Sequence, residues 1–391
     1  MSLPDQETNQ MMKPNHDHRL NGFPAAKSMQ QSSWNFFKGR NKSGPNIDAL
    51  ADALALAQHH DAVSGTERQH VAADYAKRIS IGYAEAEGLV ASALALLVNQ
   101  RLSSHVMNPI TGFQQCPLLN ISYCPPSETT LDKGKSMVIV VYNPLAWKRE
   151  EVIRIPVSTA EVFVQDSAGK KIESQLLPVS NITSSIRKKY VKAYIGTTPS
   201  RELRYWLAFP VSVPPIGFST YIVSRPRQTG HVSTISKEFR SEGNTNNSIE
   251  VGQGNLKLLY SANEGKLTHY VNNRNLVTAS VEQSYSFYSG NVRDDKDSQA
   301  SGAYVFRSNG SFPIKSDQRA SFTVLRGPIL DEVHQQLNPW VSQIVRIYQA
   351  KEHAEVEFTI GPIPVDDGIG KEVITQFSTT MKNQQKLRRG K

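Results

Sequence analysis

Residues 36–82 read FFKGRNKSGPNIDALADALALAQHHDAVSGTERQHVAADYAKRISIG. The helical reading starts at residues 46–58. There Ile47, Leu50, Leu54 and Ala57 follow Pro45 at three- and four-residue steps, in a run of strong helix formers. His59, His60 and Asp61 end that run, and Ser64-Gly65-Thr66 turns the chain. Ser64 with Glu67, and Thr66 with Gln69, have the spacing of a capping box. A second helix is therefore predicted from about Glu67 to about Arg101. Its apolar stripe is Ala72, Tyr75, Ile79, Tyr83, Ala86, Val90, Leu94 and Leu97. Such a helix is on the order of 50 Å long and needs partners along its stripe. Two helices and a fragment around Trp34 to Phe37 make a small, incomplete bundle.

The junction between the two helices carries the chemistry. An imidazole and a carboxylate side by side at a helix end suit a metal ligand and a hydrogen-bond acceptor for a polar ligand. The plain alternative is an exposed polar turn. Consecutive helical residues point about 100° apart, so His59 and His60 do not both reach one ion. One is expected to ligate and the other to be structural.

From about Met107 the apolar period changes to two. Strands are predicted at Val138–Tyr142, Val152–Val157, Val162–Gln165, Tyr205–Phe209 and Thr220–Val223. A second strand-rich block starts near Ser248. Asn255–Tyr260 and Leu267–Val271 flank a Gly-containing turn, and Val341–Tyr348 and Glu355–Ile360 flank another. The polar stretch Arg225 to Gly243 is read as the linker. This is antiparallel sandwich sequence. Trp147, Trp206 and Trp340 lie in or beside the strand runs and are expected to pack in the core. Stacking on sugars is the other role open to them.

Composition bounds the rest. The 391 residues allow two or three domains, and 39% hydrophobic with 20% charged residues suits a folded chain. No run of about 18 apolar residues is present, so no transmembrane helix is expected. The first residues lack the apolar core of a signal peptide. Residues 1–35 are polar and rich in Met, Gln, Asn and Ser, and are read as an atypical, disordered segment. His16, Asp17 and His18 within it are read as no site. The net charge is +9, concentrated partly in Lys382, Lys386, Arg388, Arg389 and Lys391. That tail reads as a solvated end. Arg187, Lys188 and Lys189 read as a loop or edge strand. No nucleic-acid-binding motif accompanies either cluster, so neither nucleic acid nor membrane is expected as a partner. Asp294, Asp295 and Asp297, and the pair Asp366 and Asp367, read as solvated turns.

Cys116 and Cys124 are the two cysteines, within CPLLNISYC. Bridged, so small a loop contributes roughly 2.5 kcal/mol in the chain-entropy account. A partial metal site is the alternative. Sequons stand at Asn41, Asn120, Asn181, Asn246 and Asn309, and they favour an oxidising compartment. Asn120 lies inside the cysteine loop.

The string from Phe36, together with CPLLNISYCPPSE (116–128), VVYNPLAW (140–147), SGAYVFR (301–307) and IGPIPVDDGIGKE (360–372), occurs in one order. In this order it closely resembles the zinc-dependent lysosomal or vacuolar α-mannosidases, glycoside hydrolase family 38. The resemblance implies an α+β chain, a small helical bundle followed by antiparallel β-sandwich domains, without the family's N-terminal catalytic α/β barrel. The implied domains are a middle domain at 36–107, a β-sandwich domain at 108–228 and a C-terminal β-sandwich domain at 229–391. The implied activity is hydrolysis of terminal α-mannose on N-glycans. His60 is then one ligand of a single Zn2+ whose other ligands lie on the barrel. Asp61 contacts sugar hydroxyls, and Tyr304 sends its hydroxyl to substrate. By its spacing alone Tyr304 is a core strand aromatic. The resemblance also implies a Cys116–Cys124 disulfide and passage through the secretory pathway to a vacuole, a lysosome or the exterior. The family's nucleophile and general acid match no position here, so no catalytic residue is assigned, and the chain is expected to be inactive by itself. Association with a catalytic barrel from a longer form would complete the site. The alternatives are a non-catalytic carbohydrate-binding module and a truncated gene product.

Overall fold

The computed structural model describes residues 47–102, 112–116, 118–129, 131–132, 135–196, 198–199, 202–226, 232–239, 248–292, 300–302, 304–314 and 321–381. The segment 1–35, the HDH triplet, the Trp34 to Phe37 fragment, Asn41, Asn246, Asp294, Asp295, Asp297 and the basic tail all lie outside these residues. The chain divides into two compact units, residues 1–235 and 236–391.

The first unit begins with two helices. Helix α1 runs Asp48–Ala57 and buries Leu50 and Ala53. One further turn of helix, α2, covers His60–Ser64 and ends at Gly65 in the left-handed conformation, φ 67°. Helix α3 runs Gln69–Leu102. The stripe read from sequence holds as far as Ala86 and then drifts. Leu89, Ala95 and Val98 are buried, whereas Leu97 is 39% exposed. The capping boxes are not how the junction is built, because the Ser64 and Thr66 hydroxyls turn back toward α2.

Gly82 sets the approach of α1 to α3. A Cβ built on it would stand 2.5 Å from both the Cα and the backbone N of Leu50. Backbone cannot swing aside as a side chain can, so this contact requires glycine. Helix α3 is also long and apolar enough over Gln69–Asn99 to cross a membrane by length and composition, contrary to the expectation that no segment would be. Ala86, Leu89, Ala95 and Val98 are buried along it, while 28% of its apolar window is buried in all. Besides the α1 contact, Glu87 accepts the Gln115 N–H at 3.2 Å, and Tyr83 donates to the Gln115 side chain. Burial, foremost, pushes the Tyr83 phenol up to about 12, and Glu87 adds to this.

The disulfide forms as the resemblance implied, Cys116 to Cys124, with the Cα atoms 4.8 Å apart. Leu119–Ile121 make a 3₁₀ turn inside the loop, and helix α4, Pro125–Glu128, follows. Helix α5, Asn181–Ile195, corrects the reading of Arg187, Lys188 and Lys189 as a loop or edge strand. Ser180 caps it by accepting the Thr183 N–H at 3.1 Å, and Gly196 closes it with φ 77°. Arg187 is buried. Its guanidinium pairs bidentately with the buried Glu128 and donates to the Ser122 carbonyl at 2.6 Å. Glu128 also accepts the Cys124 N–H at 2.8 Å. One ion pair thus joins α5 to the cysteine loop. Burying a charge is costly without its partner, so the pair ties the two elements together.

Two sheets complete this unit. One has β1 (Ser136–Asn143), β7 (Gly217–Ser224), β3 (Phe163–Asp166) and β4 (Lys171–Ile172) in that order. The other has β2 (Arg149–Val157), β6 (Tyr205–Val213), β5 (Gln175–Pro178) and β8 (Thr234–Ile235). Val164, Leu176, Leu207, Phe209 and Val223 fill the core. The β5–β8 pair is parallel; the other ladders described are antiparallel. The polar stretch 225–243 is not wholly irregular. It holds β8 and also β9 (Lys237–Phe239), which pairs within the second unit.

The second unit has one sheet in the order β18 (Ala354–Ile360), β17 (Val341–Tyr348), β16 (Leu330–Asn338), β15 (Ser321–Arg326), β9. The other runs β10 (Ser248–Val251), β11 (Leu256–Ser261), β12 (Leu267–Asn272), β13 (Val277–Gly290), β14 (Ser308–Pro313), with β19 (Lys371–Thr379) also on β13. Val251, Leu256, Tyr260, Val324, Val333 and Ile347 form its core. Small helical elements and antiparallel sheets are thus the observed architecture. Among the described residues no parallel α/β barrel occurs.

The Gly82 contact predicts opposite outcomes at two glycines of α3. Gly82→Val will destabilise the chain by about 1–3 kcal/mol through forced overpacking. Gly88, with nothing near its missing Cβ, will tolerate alanine and gain about 0.5–1 kcal/mol. Urea unfolding followed by far-UV circular dichroism measures both.

Candidate functional site

The candidate site is the α1–α3 junction. Helix α1 ends with the Gln58 and His59 amides donating to the Ala55 and Leu56 carbonyls. His59 then adopts φ −53°, ψ 139°, an extended conformation. The sequence reading placed both imidazoles on one helix, about 100° apart. Because His59 is extended and His60 begins a new helical turn, the rings instead converge, their centroids 4.3 Å apart. Their Nε2 atoms lie 3.3 Å (His59) and 3.6 Å (His60) from Asp61 Oδ2. Ligand atoms of all three residues fall within 4.8 Å of one another. His60 is 84% exposed and Asp61 is part-buried.

Residues that the sequence had suggested as caps hold this group. Thr66 Oγ1 donates to Asp61 Oδ1 at 2.9 Å, and the Thr66 N–H donates to the Asp61 carbonyl at 3.0 Å. Ser64 Oγ lies 2.7 Å from Thr66 Oγ1 and 2.7 Å from the His60 carbonyl. Gly65 in the left-handed conformation is what lets Thr66 return to Asp61. The Thr66 hydrogen bond is the chief cause that holds the Asp61 carboxyl below the usual carboxylate range. Partial desolvation opposes it, and the neighbouring imidazoles add to it. The folded value lies below the unfolded one. The resulting stabilisation is therefore complete above about pH 4 and is lost as pH falls through the folded value.

Two imidazoles and a carboxylate are the donor types of zinc sites, which take three or four protein ligands. The set fits a part of such a site. The exposure of both rings leaves room for ligands from outside this junction.

Tyr304 belongs to the second unit. It is not a core strand aromatic. It lies in a bend and is 75% exposed. Ser301 closes the segment that carries it: its Oγ accepts the Asn291 N–H at 2.8 Å and the Arg307 N–H at 3.1 Å. Trp147 also departs from the expected core role and is 59% exposed. The buried Asn143 builds the bend that presents it, donating to the Trp147 and Pro214 carbonyls at 2.7 and 2.9 Å. Trp206 and Trp340 are part-buried. Asp366 and Asp367 occupy an exposed turn, where Asp367 pairs with Lys371 at 2.7 Å. Of the sequon asparagines, Asn120, Asn181 and Asn309 are exposed: on the cysteine loop, at the first residue of α5 and on β14.

Three family descriptions match the chain. "Alpha mannosidase middle domain" matches residues 10–97, "Lysosomal alpha-mannosidase-like, central domain" 172–223, and "Glycosyl hydrolases family 38 C-terminal domain" 251–387. The chain belongs to glycoside hydrolase family 38. The middle-domain match takes in the candidate site and begins upstream of Phe36, where the resemblance in sequence had been placed. An α-mannosidase of Arabidopsis thaliana is 58% identical over 347 residues, which are 89% of this chain and 34% of that protein. The α-mannosidase of Canavalia ensiformis is 45% identical over 88% of this chain and 35% of its own length. The lysosomal α-mannosidase of Mus musculus is 34% identical over 92% of this chain and 34% of its own length. The chain thus spans about a third of the length of the relatives it matches.

Thr66→Val will raise the Asp61 pKa toward its ordinary value, and His60→Gln will raise it by less, following the order of the causes. Carbon-detected NMR titration of the Asp61 carboxyl measures both shifts.

Proposed function

We propose that this chain is the middle and C-terminal portion of a zinc-dependent α-mannosidase that removes terminal α-mannose from N-glycans. The observation that carries this reading is the convergence of His60 and Asp61 on the single turn α2, with the carboxylate held by Thr66. His60 would hold the ion through an imidazole nitrogen. Zinc, when bound, supplies Lewis-acid polarisation of sugar oxygens. Asp61 keeps acceptor capacity on both oxygens for two sugar hydroxyls, in strong charge-assisted bonds. Tyr304, exposed at the tip of its bend, offers a phenol to the same class of ligand. A retaining glycosidase also needs a nucleophilic carboxylate and a general acid. We assign neither to this chain, so a catalytic barrel must supply them. Exposed Asn120, Asn181 and Asn309 are the proposed glycan carriers, and the disulfide suits the same oxidising route to a vacuole or lysosome.

The test is turnover of a chromogenic α-mannoside with zinc present. The purified chain will show none. A fusion behind the part of the Canavalia ensiformis enzyme that precedes the matched segment will be active. His60→Ala in that fusion will cut turnover by about a hundredfold or more. Clear hydrolysis by the chain alone would overturn the assignment.

One observation favours a second reading, a non-catalytic carbohydrate-binding module. Trp147 presents an exposed indole on a bend braced by Asn143. On that reading the chain binds mannosides saturably without zinc, and Trp147→Ala weakens binding by about 1–3 kcal/mol, the scale of aromatic stacking on a planar ligand. Calorimetric titration with methyl α-mannoside decides. Unchanged affinity in Trp147→Ala excludes the module.

A further inference from the structure

The junction contains two hydroxyls, on Ser64 and Thr66, that a metal ligand and a sugar acceptor do not by themselves require. They form one connected path. The His60 carbonyl accepts from Ser64 Oγ at 2.7 Å, Ser64 Oγ meets Thr66 Oγ1 at 2.7 Å, and Thr66 Oγ1 donates to Asp61 Oδ1 at 2.9 Å. The direction of the protons is fixed at one end. Thr66 must donate to an ionised carboxylate, so its oxygen is the acceptor for Ser64, or Ser64 gives its proton to the His60 carbonyl. The two protons make two of these three bonds at a time: Thr66 holds Asp61, and Ser64 either donates to Thr66 and supports that hold or donates to the His60 carbonyl and braces the turn.

We propose that Ser64 and Thr66 are positioning residues: the Thr66 hydroxyl, with Ser64 beside it, fixes the rotamer of Asp61 and so sets how a mannose diol is received. The claim about the rotamer stands on the geometry alone. The claim about the diol rests on the reading of Asp61 as a sugar contact. The pair is sited to do this. Asp61 Oδ1 is engaged by Thr66, while Oδ2 faces the two imidazole Nε2 atoms at 3.3 and 3.6 Å. The oxygen that meets the ion-binding side of the junction is thereby chosen. Without the Thr66 hydroxyl only the longer imidazole contacts on Oδ2 orient the carboxylate, and the side chain gains freedom to turn. The backbone of the turn has its own support, since the Thr66 N–H to Asp61 carbonyl bond does not use the hydroxyl.

The experiment uses the whole purified chain, with Thr66→Val, Thr66→Ser and Ser64→Ala variants. Side-chain scalar couplings read the Asp61 rotamer, and backbone amide shifts of residues 60–66 read the turn. Saturation-transfer NMR with methyl α-mannoside and zinc, on the same variants in the barrel fusion, reads sugar binding. In the native chain and in Thr66→Ser, Asp61 will hold one rotamer. In Thr66→Val it will average over rotamers while the backbone shifts stay native, and Ser64→Ala will loosen it in part. Mannoside affinity will fall about tenfold in Thr66→Val and return to within about twofold in Thr66→Ser, the scale of one hydrogen bond to a charged group. A single unchanged rotamer in Thr66→Val overturns the positioning claim, as does loss of native backbone shifts in both Thr66→Val and Thr66→Ser. Rotamer changes as stated, with mannoside affinity of the fusion unchanged by Thr66→Val, overturn the diol claim and leave the positioning claim supported.

Discussion

The backbone-to-backbone contact at Gly82 is the constraint from which the site follows. Helix packing distances are normally set by the side chains at the contact, at about 8–10 Å between axes. Here one helix presents no side chain, and the Leu50 backbone of α1 occupies the space. The ends of α1 and α3 are then fixed relative to each other before the connection is considered. That connection is short, running from Gln58 to Arg68, and must reverse the chain. It does so by one helical turn, a left-handed glycine and a hydrogen-bonded return to Asp61. The extended conformation of His59 is part of the same reversal, and it is what brings the imidazoles together. A looser helix pair would leave a longer gap, with no reason for the rings to converge.

The β units are stabilised differently. The first has an aliphatic interior built on β2, β6 and β7. The second adds a buried amide network. Gln343 bonds to Gln335 at 2.7 Å and to Gln283 at 2.9 Å, and Tyr285 donates to Gln343. On the other face of β16, Arg346 stands between Glu332 and Glu357. Buried polar groups are tolerable only when they are bonded, and a satisfied network admits one strand register and penalises the rest. Helix α5 follows the same rule in the first unit, its arginine committed to Glu128 rather than to solvent.

This difference explains what was legible in the sequence. A strand with an apolar face in alternation, Leu256–Ser261, whose Leu256, Leu258 and Tyr260 face the core, could be read nearly to its ends. Leu330–Asn338, sequence LDEVHQQLN, could not, because its buried positions include Asp, Glu and Gln whose partners lie on other strands. Val277–Gly290 hid because few of its side chains are buried, Ala279 and Tyr285 being the apolar ones. Asn181–Ile195 read as a charged loop because one of its three consecutive basic residues is a core residue. At the site, adjacency marked His59, His60 and Asp61 together, and only the resemblance singled out His60 and Asp61. The convergence of His59 needed a ψ angle that no residue type announces. Thr66 was visible as a possible cap, but its true partner five residues back depends on Gly65. Trp147 was misread as core, and spacing alone put Tyr304 there too, because aromatic type and strand-like neighbours do not reveal a bend closed by Ser301 or Asn143.

Gathering the groups on one turn has a consequence for how such a half-site works. A metal ligand and a sugar acceptor that came from separate elements would move apart with every fluctuation of those elements. On α2 their separation is set by one peptide unit and the hydrogen bond from Thr66. The carboxylate is already ionised and already oriented, so little reorganisation remains when ligand arrives, and preorganised acceptors act most strongly. The exposure of His60 is then the necessary complement rather than a defect. An imidazole closed off within its own domain could not meet ligands supplied from another part of an enzyme. The turn is closed by the hydrogen bonds between Asp61 and Thr66 and, on the proposed reading, open at His60, where a second half-site would approach it.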